Sequence, residues 1–497
     1  MNKEISNNLS EISSGAVIIL VGAVFGKFIA VFSQILLARI LSIDDFGIYN
    51  FLLSIVLILS GISVFGMGAT IVRYVPFYLQ ESPGKSKGFI FFAFWFCSIL
   101  SFFFTTIFIL YSSQISLIIF EVDYSEIFNI FFITIPIVTI NIIFINIYQS
   151  LKKSNYKVFI DDFLLRIIFL SLIVVAYFFF SFSLRTIAVS YLLSNLLIFL
   201  INSYIWRTSI YPNFNLVKAE FVGQESMKFA LPLAFSVFVM IFYERINIVI
   251  LGYYTDPSSI GYYSSAYILA SSLTMFSIAF GFLFIPLVSK LWSLEKHKEI
   301  DYIYNKLTTW IIAITIPISL FLIVFPRQVL LIFGKTFSPA SDVLIIFSIS
   351  FILGNYMSLN RSVLMIGLKT KICFISDLLG VITNLSVTLL LLPSLGIIGA
   401  GIGFLSARIV SNFLQLYFVY VFFNLHPFQY IHLKFLTLSI FLISLVYLWV
   451  DNYYNMVHMY QVFLVSIGFF VLYLYLIFKI RLIDDQDKII FQNIFRN

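Results

Sequence analysis

The stretch 38–50, ARILSIDDFGIYN, sets an arginine, two aspartates, a glycine and a tyrosine between two almost unbroken apolar runs. A similar interruption returns at 253–264 as YYTDPSSIGYYS. A bilayer core about 30 Å thick is crossed by roughly 20 apolar residues of helix, and each flank has that length. The stretch therefore reads as a short turn between two membrane-spanning helices. Applied along the 497 residues, the same reading gives fourteen spans, near 16–38, 47–69, 88–111, 127–148, 158–180, 185–206, 229–252, 260–287, 305–325, 342–366, 372–392, 397–421, 433–450 and 460–479. Lone strands would leave backbone groups unpaired in lipid, and the runs lack the alternation of barrel strands. The expected fold class is an all-α polytopic membrane protein.

Composition agrees, with 61% hydrophobic and 11% charged residues, less than half the ~25% charge of soluble domains. The net charge of +7 is scattered over short loops and forms no nucleic-acid-binding domain. Cys97 and Cys373 have no CxxC pattern or neighbouring histidine, so they point to neither a disulfide framework nor a metal site. His297, His426, His432 and His458 read as loop or interface residues. With no GxSxG, no Walker-type loop and no metal-spaced acids, neither an enzyme nor a resident cofactor is expected. The first span is too long for a signal-peptide core and is read as part of the mature chain. Lys and Arg divide unequally between alternate loops, twenty-one on the side of the N-terminus and four on the other. The positive-inside rule then places both termini in the cytoplasm of a cell-membrane protein.

The two polar turns also mark an internal repeat. A shift of 214 residues pairs Gly47 with Gly261, Tyr49 with Tyr263, Asn141 with Asn355 and Asn146 with Asn360. Six spans would then be repeated about an axis along the membrane normal. The expected organisation is an N-terminal lobe at 1–206, a cytoplasmic linker at 207–228, a C-terminal lobe at 229–424, and two further helices with a tail at 425–497.

Five basic residues fall inside spans: Lys27, Arg166, Arg245, Arg361 and Arg408. A charge at mid-membrane costs about 2.5–3.5 kcal/mol on insertion scales, so each needs water, a partner or an interface. Arg166 and Arg361 lie within about two turns of a span end, where snorkelling suffices. Lys27 and Arg408 are deeper and read as cavity-lining, the alternative being a buried pair with an acid such as Glu244. Glu244 itself either pairs with a basic residue on another span, carries a proton, or offsets Arg245. Arg408, Asn412 and Gln415 share one helix face, as do Asn195 and Asn202 in the other half. Asp161, Asp162 and Asp377 read as helix-start carboxylates, and Pro232 as the site of a kink.

These residues resemble the polysaccharide-biosynthesis flippases, the Wzx-type branch of the superfamily that also holds multidrug exporters and the lipid II flippase. ARILSIDDFGIYN has the form of that family's early motif. ALPLAFS, Glu244 with Arg245, and IGYYSSAY stand where its second-half motif runs, although the family's acid is more often aspartate. PSLGIIGAGIGFLSA (393–407) resembles its small-residue turn. The resemblance implies two six-helix lobes of MATE-like fold around a V-shaped cavity, plus two C-terminal helices. It implies transfer of a polyprenyl-(pyro)phosphate-linked oligosaccharide from the cytoplasmic to the outer leaflet for cell-surface polysaccharide such as O-antigen or capsule. Lys27, Arg245 and Arg408 would meet the head group, Asn141 and Asn355 the sugars, with Glu244, Arg166 and Arg361 completing the candidate set. The implied partners are that lipid-linked glycan, membrane lipid, and a glycan polymerase or glycosyltransferases of the same pathway. The alternative is a cation-coupled small-molecule exporter of the same superfamily. A membrane polymerase or ligase would need a long outward loop, which this chain lacks.

Overall fold

Ser42 accounts for the polar interruption at 38–50. Its Oγ accepts the Asp45 backbone N–H at 3.1 Å and donates to the Asp45 carboxylate at 2.8 Å. It thus caps a new helix whose first turn holds Asp44 and Asp45, where negative charge offsets the exposed amide dipoles. Gly47 serves a different purpose from easing the turn. It lies inside that helix, and a Cβ there would sit 1.9 Å from the Pro257 carbonyl oxygen, so the glycine permits a backbone-to-backbone approach. The facing residue is Gly261, whose own Cβ would lie 2.8 Å from the Ile43 oxygen. The two turns paired by the sequence repeat therefore touch.

The structure is a computed structural model and describes residues 22, 24–180, 182–214, 218–220, 223–452 and 459–479. Both chain termini, His458 and the beginning of the first expected span lie outside these residues. Helix α1 covers 24–40. It is followed by α2 (Ile43–Val64), α3 (Met67–Glu81), α4 (Pro83–Leu110), α5 (Ser112–Phe120) and α6 (Ser125–Ser150). Next, α7 (Ser154–Lys157) runs through a π-helical turn at Val158–Leu164 into α8 (Leu165–Phe179), and α9 (Leu184–Ile205) is extended by a second π-turn, Trp206–Ile210. Beyond the linker come α10 (Gly223–Tyr254), α11 (Pro257–Ser271), α12 (Thr274–Ser293), α13 (His297–Val324), α14 (Pro326–Leu330), α15 (Ser341–Tyr356) and α16 (Ser358–Ile366). The chain continues through α17 (Thr370–Leu395), α18 (Ile397–Phe423), α19 (Tyr430–Asn452) and α20 (Met459–Lys479). Within the described residues the expected spans fall on helices, and eleven of those helices are long and apolar enough to cross a membrane.

The chain divides into two compact units, Phe28–Gly261 and Tyr262–Asn497, with Lys27 grouped with the second. In the first unit, α10 packs along α2 and α3, and the core gathers Met67, Ile71, Phe89, Ile147 and Ala230. The linker joins this unit: the Glu220 N–H donates to the Gly84 carbonyl at 3.0 Å, and Ser82 Oγ donates to the Glu220 carboxylate at 2.9 Å. In the second unit the core centres on Phe284, Tyr304, Trp310 and Val363.

Helix α10 carries Pro232 inside it. Among the described residues three spans are broken, at Phe65–Gly66, Ser272–Leu273 and Met357. At the first, Phe65 and Gly66 both have positive φ, 48° and 70°, and only glycine adopts that region without a steric cost. The last two spans of the second repeat meet without a loop: Gly396, at φ 57°, reverses the chain directly from α17 into α18.

Candidate functional site

In the first unit the polar side chains form one ladder across α6 and α9. Asn141 Nδ2 donates to the Asn195 carbonyl at 3.1 Å, and its Oδ1 accepts from Asn202 Nδ2 at 3.1 Å. Asn202 Oδ1 in turn accepts the Tyr148 hydroxyl at 3.0 Å. Asn195 closes onto the Tyr191 carbonyl at 2.9 Å. All three asparagines are buried, so the seven-residue spacing of Asn195 and Asn202 marks a face turned toward α6. The Asn141 amide is spent on α9 rather than presented to open space.

Arg245 lies on a different helix from this ladder. It is half-buried on α10, and its positive charge acts on the Tyr49 and Tyr191 phenols. Gln34 Nε2 donates to the Tyr49 hydroxyl at 3.5 Å, while Phe131 stacks on Tyr191 and meets Tyr49 edge-on. Two phenols and an amide from α1, α2 and α9 thus gather on Phe131 of α6, within the electrostatic reach of the Arg245 guanidinium on α10. The adjacent Glu244 is exposed, because neighbouring helix positions point about 100° apart, and the acid and base of this motif face different surroundings. Lys27 is half-buried on α1. Arg166 makes a loose 4.0 Å pair with Asp162.

In the second unit, Arg361 on α16 forms an ion pair with Asp377 on α17. The other Asp377 oxygen accepts Ser411 Oγ and Gln415 Nε2, each at 3.1 Å. Arg408, on the same helix as these two, turns instead toward α15, with its guanidinium 5.1 Å from the Phe351 ring and 5.3 Å from Phe404. Arg408 and Gln415 therefore share a helix face but serve different neighbours. Asn355 is buried, donating to the Leu273 carbonyl at 3.3 Å and accepting from Ser277 at 2.6 Å.

Two sequence expectations are corrected here. Asp161, Asp162 and Asp377 do not cap helices, because their helical runs begin earlier, at Ser154 and Thr370, and the terminal dipole acts only within the first turn. His432 is not a loop or interface residue but is buried at 5% exposure. Its Nε2 lies 3.0 Å from Thr309 Oγ1 on α13 and its Nδ1 2.7 Å from the Tyr356 hydroxyl on α15. Tyr49 was visible as the tyrosine of the 38–50 turn, whereas His432, Tyr148 and Tyr191 carried no signal among 29 tyrosines and four histidines.

The ladder gives a direct stability test. Replacing Asn202 with leucine strands the Asn141 side-chain oxygen and leaves the Tyr148 hydroxyl only the residue's backbone carbonyl, at 3.3 Å, a loss of about 1–2 kcal/mol inside a membrane bundle. Asn202→Leu is expected to lower the thermal midpoint in detergent. Adding Tyr148→Phe should recover part of the loss, whereas additive losses would mean that the two groups are not joined.

Residues 36–342 match the sequence profile of the family described as polysaccharide biosynthesis protein. The chain belongs to this family. The ladder and Arg245 lie within the matched residues, while Lys27, Asn355, Arg361 and Arg408 lie outside them. The chain is 27% identical over 207 residues to the probable low-salt glycan biosynthesis flippase Agl15 of Haloferax volcanii. That match covers 40% of this chain and 42% of the relative, so it spans less than half of the curated protein. An uncharacterized membrane protein of Methanocaldococcus jannaschii is 25% identical over 415 residues, 79% of this chain and 80% of its own. Among solved structures, the lipid II flippase MurJ in an inward closed conformation superposes with a TM-score of 0.71 at 16% identity, covering 93% of this chain and 99% of MurJ. An inward-facing multidrug MATE transporter superposes at 0.66 with 11% identity, covering 82% and 98%. Family membership and the MATE-like fold thus agree with the resemblance carried by the sequence motifs.

Proposed function

We propose that this polysaccharide biosynthesis protein is a flippase that carries a polyprenyl-(pyro)phosphate-linked oligosaccharide from the cytoplasmic to the outer leaflet by alternating access. The observation that carries the reading is the half-buried Arg245, whose charge reaches the Tyr49 and Tyr191 phenols, with Gln34 bonded to Tyr49. A cation inside a span is costly unless something offsets it, and a phosphate does so through charge-assisted hydrogen bonds to the guanidinium fork. The phenols and the amide supply neutral hydrogen-bonding groups beside it. Membership of a polysaccharide biosynthesis family, likeness to a probable glycan flippase and the MurJ-like fold all favour such a cargo over a small cationic drug.

Lys27 and Arg408 are retained as further head-group cations in this proposal. Arg166 and Arg361, each already beside a carboxylate, fit a secondary role, as do Asn141 and Asn355, whose amides are engaged. The termini are placed in the cytoplasm by the distribution of lysine and arginine. The test is reconstitution with a fluorescent polyprenyl-pyrophosphate oligosaccharide in vesicles. Protein-dependent accessibility of the label to an outside quencher is expected, and drug efflux without glycan-lipid movement would overturn the reading in favour of a small-molecule exporter.

A further inference from the structure

The run 355–361, NYMSLNR, spans the break between α15 and α16, and its polar side chains reach four different helices. Asn355 takes the Leu273 carbonyl and Ser277, at the break between α11 and α12. Tyr356 takes His432 on α19. Asn360 accepts the Tyr304 hydroxyl of α13. Arg361 pairs with Asp377 of α17, which Ser411 and Gln415 tie to α18. Fewer than two helical turns thus hold most of the second unit, and two of its broken spans are joined break to break. The Leu273 carbonyl meets a side chain from a span some eighty residues away.

The His432 link has a defined direction. The Thr309 hydroxyl donates to the Asn305 carbonyl at 2.8 Å, so it accepts from His432 Nε2–H. Nδ1 then accepts from the Tyr356 hydroxyl and from the Gln429 N–H at 3.4 Å. Both ring nitrogens are engaged in one tautomer, and α19 is fixed to α13 and α15 together.

We propose that residues 355–361 form a mechanical hub, through which bending at the α11–α12 and α15–α16 breaks moves α19 with it. The two helices beyond the sixth span of the second repeat then belong to the moving part of the protein and are not a passive addition. A hydrogen-bonded cluster with shared backbone responds as a unit, whereas separate bonds respond one at a time.

Hydrogen–deuterium exchange of the full chain in lipid nanodiscs tests this with single-bond variants. Ser277→Ala removes one bond on α12 and does not touch α19. It is expected to speed exchange about tenfold both at 272–277 and at 430–436. His432→Leu, which touches only α13, α15 and its own turn, is expected to speed exchange at 272–277 as well. Ser338→Ala, in a separate turn, should change neither segment. Effects confined to the altered residue's own helix and direct partners would overturn the hub. If His432→Leu fails to fold, Tyr356→Phe removes the same link with the ring retained and is read in the same way. The measurement uses no substrate, so its outcome is separable from that of the transport assay.

Discussion

Arg245→Gln is expected to slow glycan-lipid translocation by about 10- to 100-fold, since a hydrogen bond to a charged group is worth roughly 1.5–3 kcal/mol and each 1.4 kcal/mol is a factor of ten. The side chain is half-buried within electrostatic reach of Tyr49 and Tyr191, so glutamine fits the same space and keeps hydrogen-bonding capacity while losing the charge. The thermal midpoint of the protein should move little. Arg245→Lys keeps the charge but not the fork and should fall between wild type and glutamine. The rate of label transfer in reconstituted vesicles checks all three, and an unaltered rate for Arg245→Gln would remove Arg245 from the head-group site.

Gly403→Leu is expected to prevent the second unit from packing. A Cβ at this position would lie 2.1 Å from Thr388 Oγ1 and 3.0 Å from the Asn384 oxygen and Thr388 nitrogen, the last two being backbone. One turn earlier, a Cβ on Gly399 would meet the Leu391 backbone at 2.7 Å. Gly399, Gly403, Ala407 and Ser411 form a stripe of small residues along α18, and it lets α17 and α18 approach backbone to backbone as membrane helices do when lipid offers no hydrophobic drive. Overpacking a tight core costs about 1–3 kcal/mol even where side chains are free to move. Here the backbone must shift, so a loss at or above that range is expected, seen as aggregation on size-exclusion chromatography in detergent. Gly403→Ala should show a milder form of the same defect, and an unchanged thermal midpoint for Gly403→Leu would mean that the helices separate easily.

The spans were legible because a run of twenty apolar residues identifies a membrane helix without reference to anything distant. The α17–α18 turn was legible in part, through its glycines. The helix breaks were not. The second unit breaks at Ser272–Leu273 and Met357, where no proline stands. In lipid a freed carbonyl needs a partner, and for Leu273 that partner is Asn355, 82 residues along the chain. No local pattern contains that information. The candidate site shows the same division. Spacing placed Arg408, Asn412 and Gln415 on one face, but it did not tell that Gln415 reaches Asp377 while Arg408 lies over Phe351 and Phe404. Arg361 and Asp377 were both visible as charges within spans, and only the packing of α16 on α17 made them one ion pair.

The contact between Gly47 and Gly261 bears on which mutations the two turns can accept. Most positions of a chain answer to their own surroundings. These two answer to each other: a methyl group on Gly47 meets the Pro257 carbonyl, and one on Gly261 meets the Ile43 carbonyl. A side chain added at either glycine is therefore judged by the backbone of the facing turn, and the two positions are constrained together. The polar residues around them differ freely, Asp44 and Asp45 in one turn against Ser258 and Ser259 in the other. Contact fixes the glycines, and exposure leaves their neighbours free.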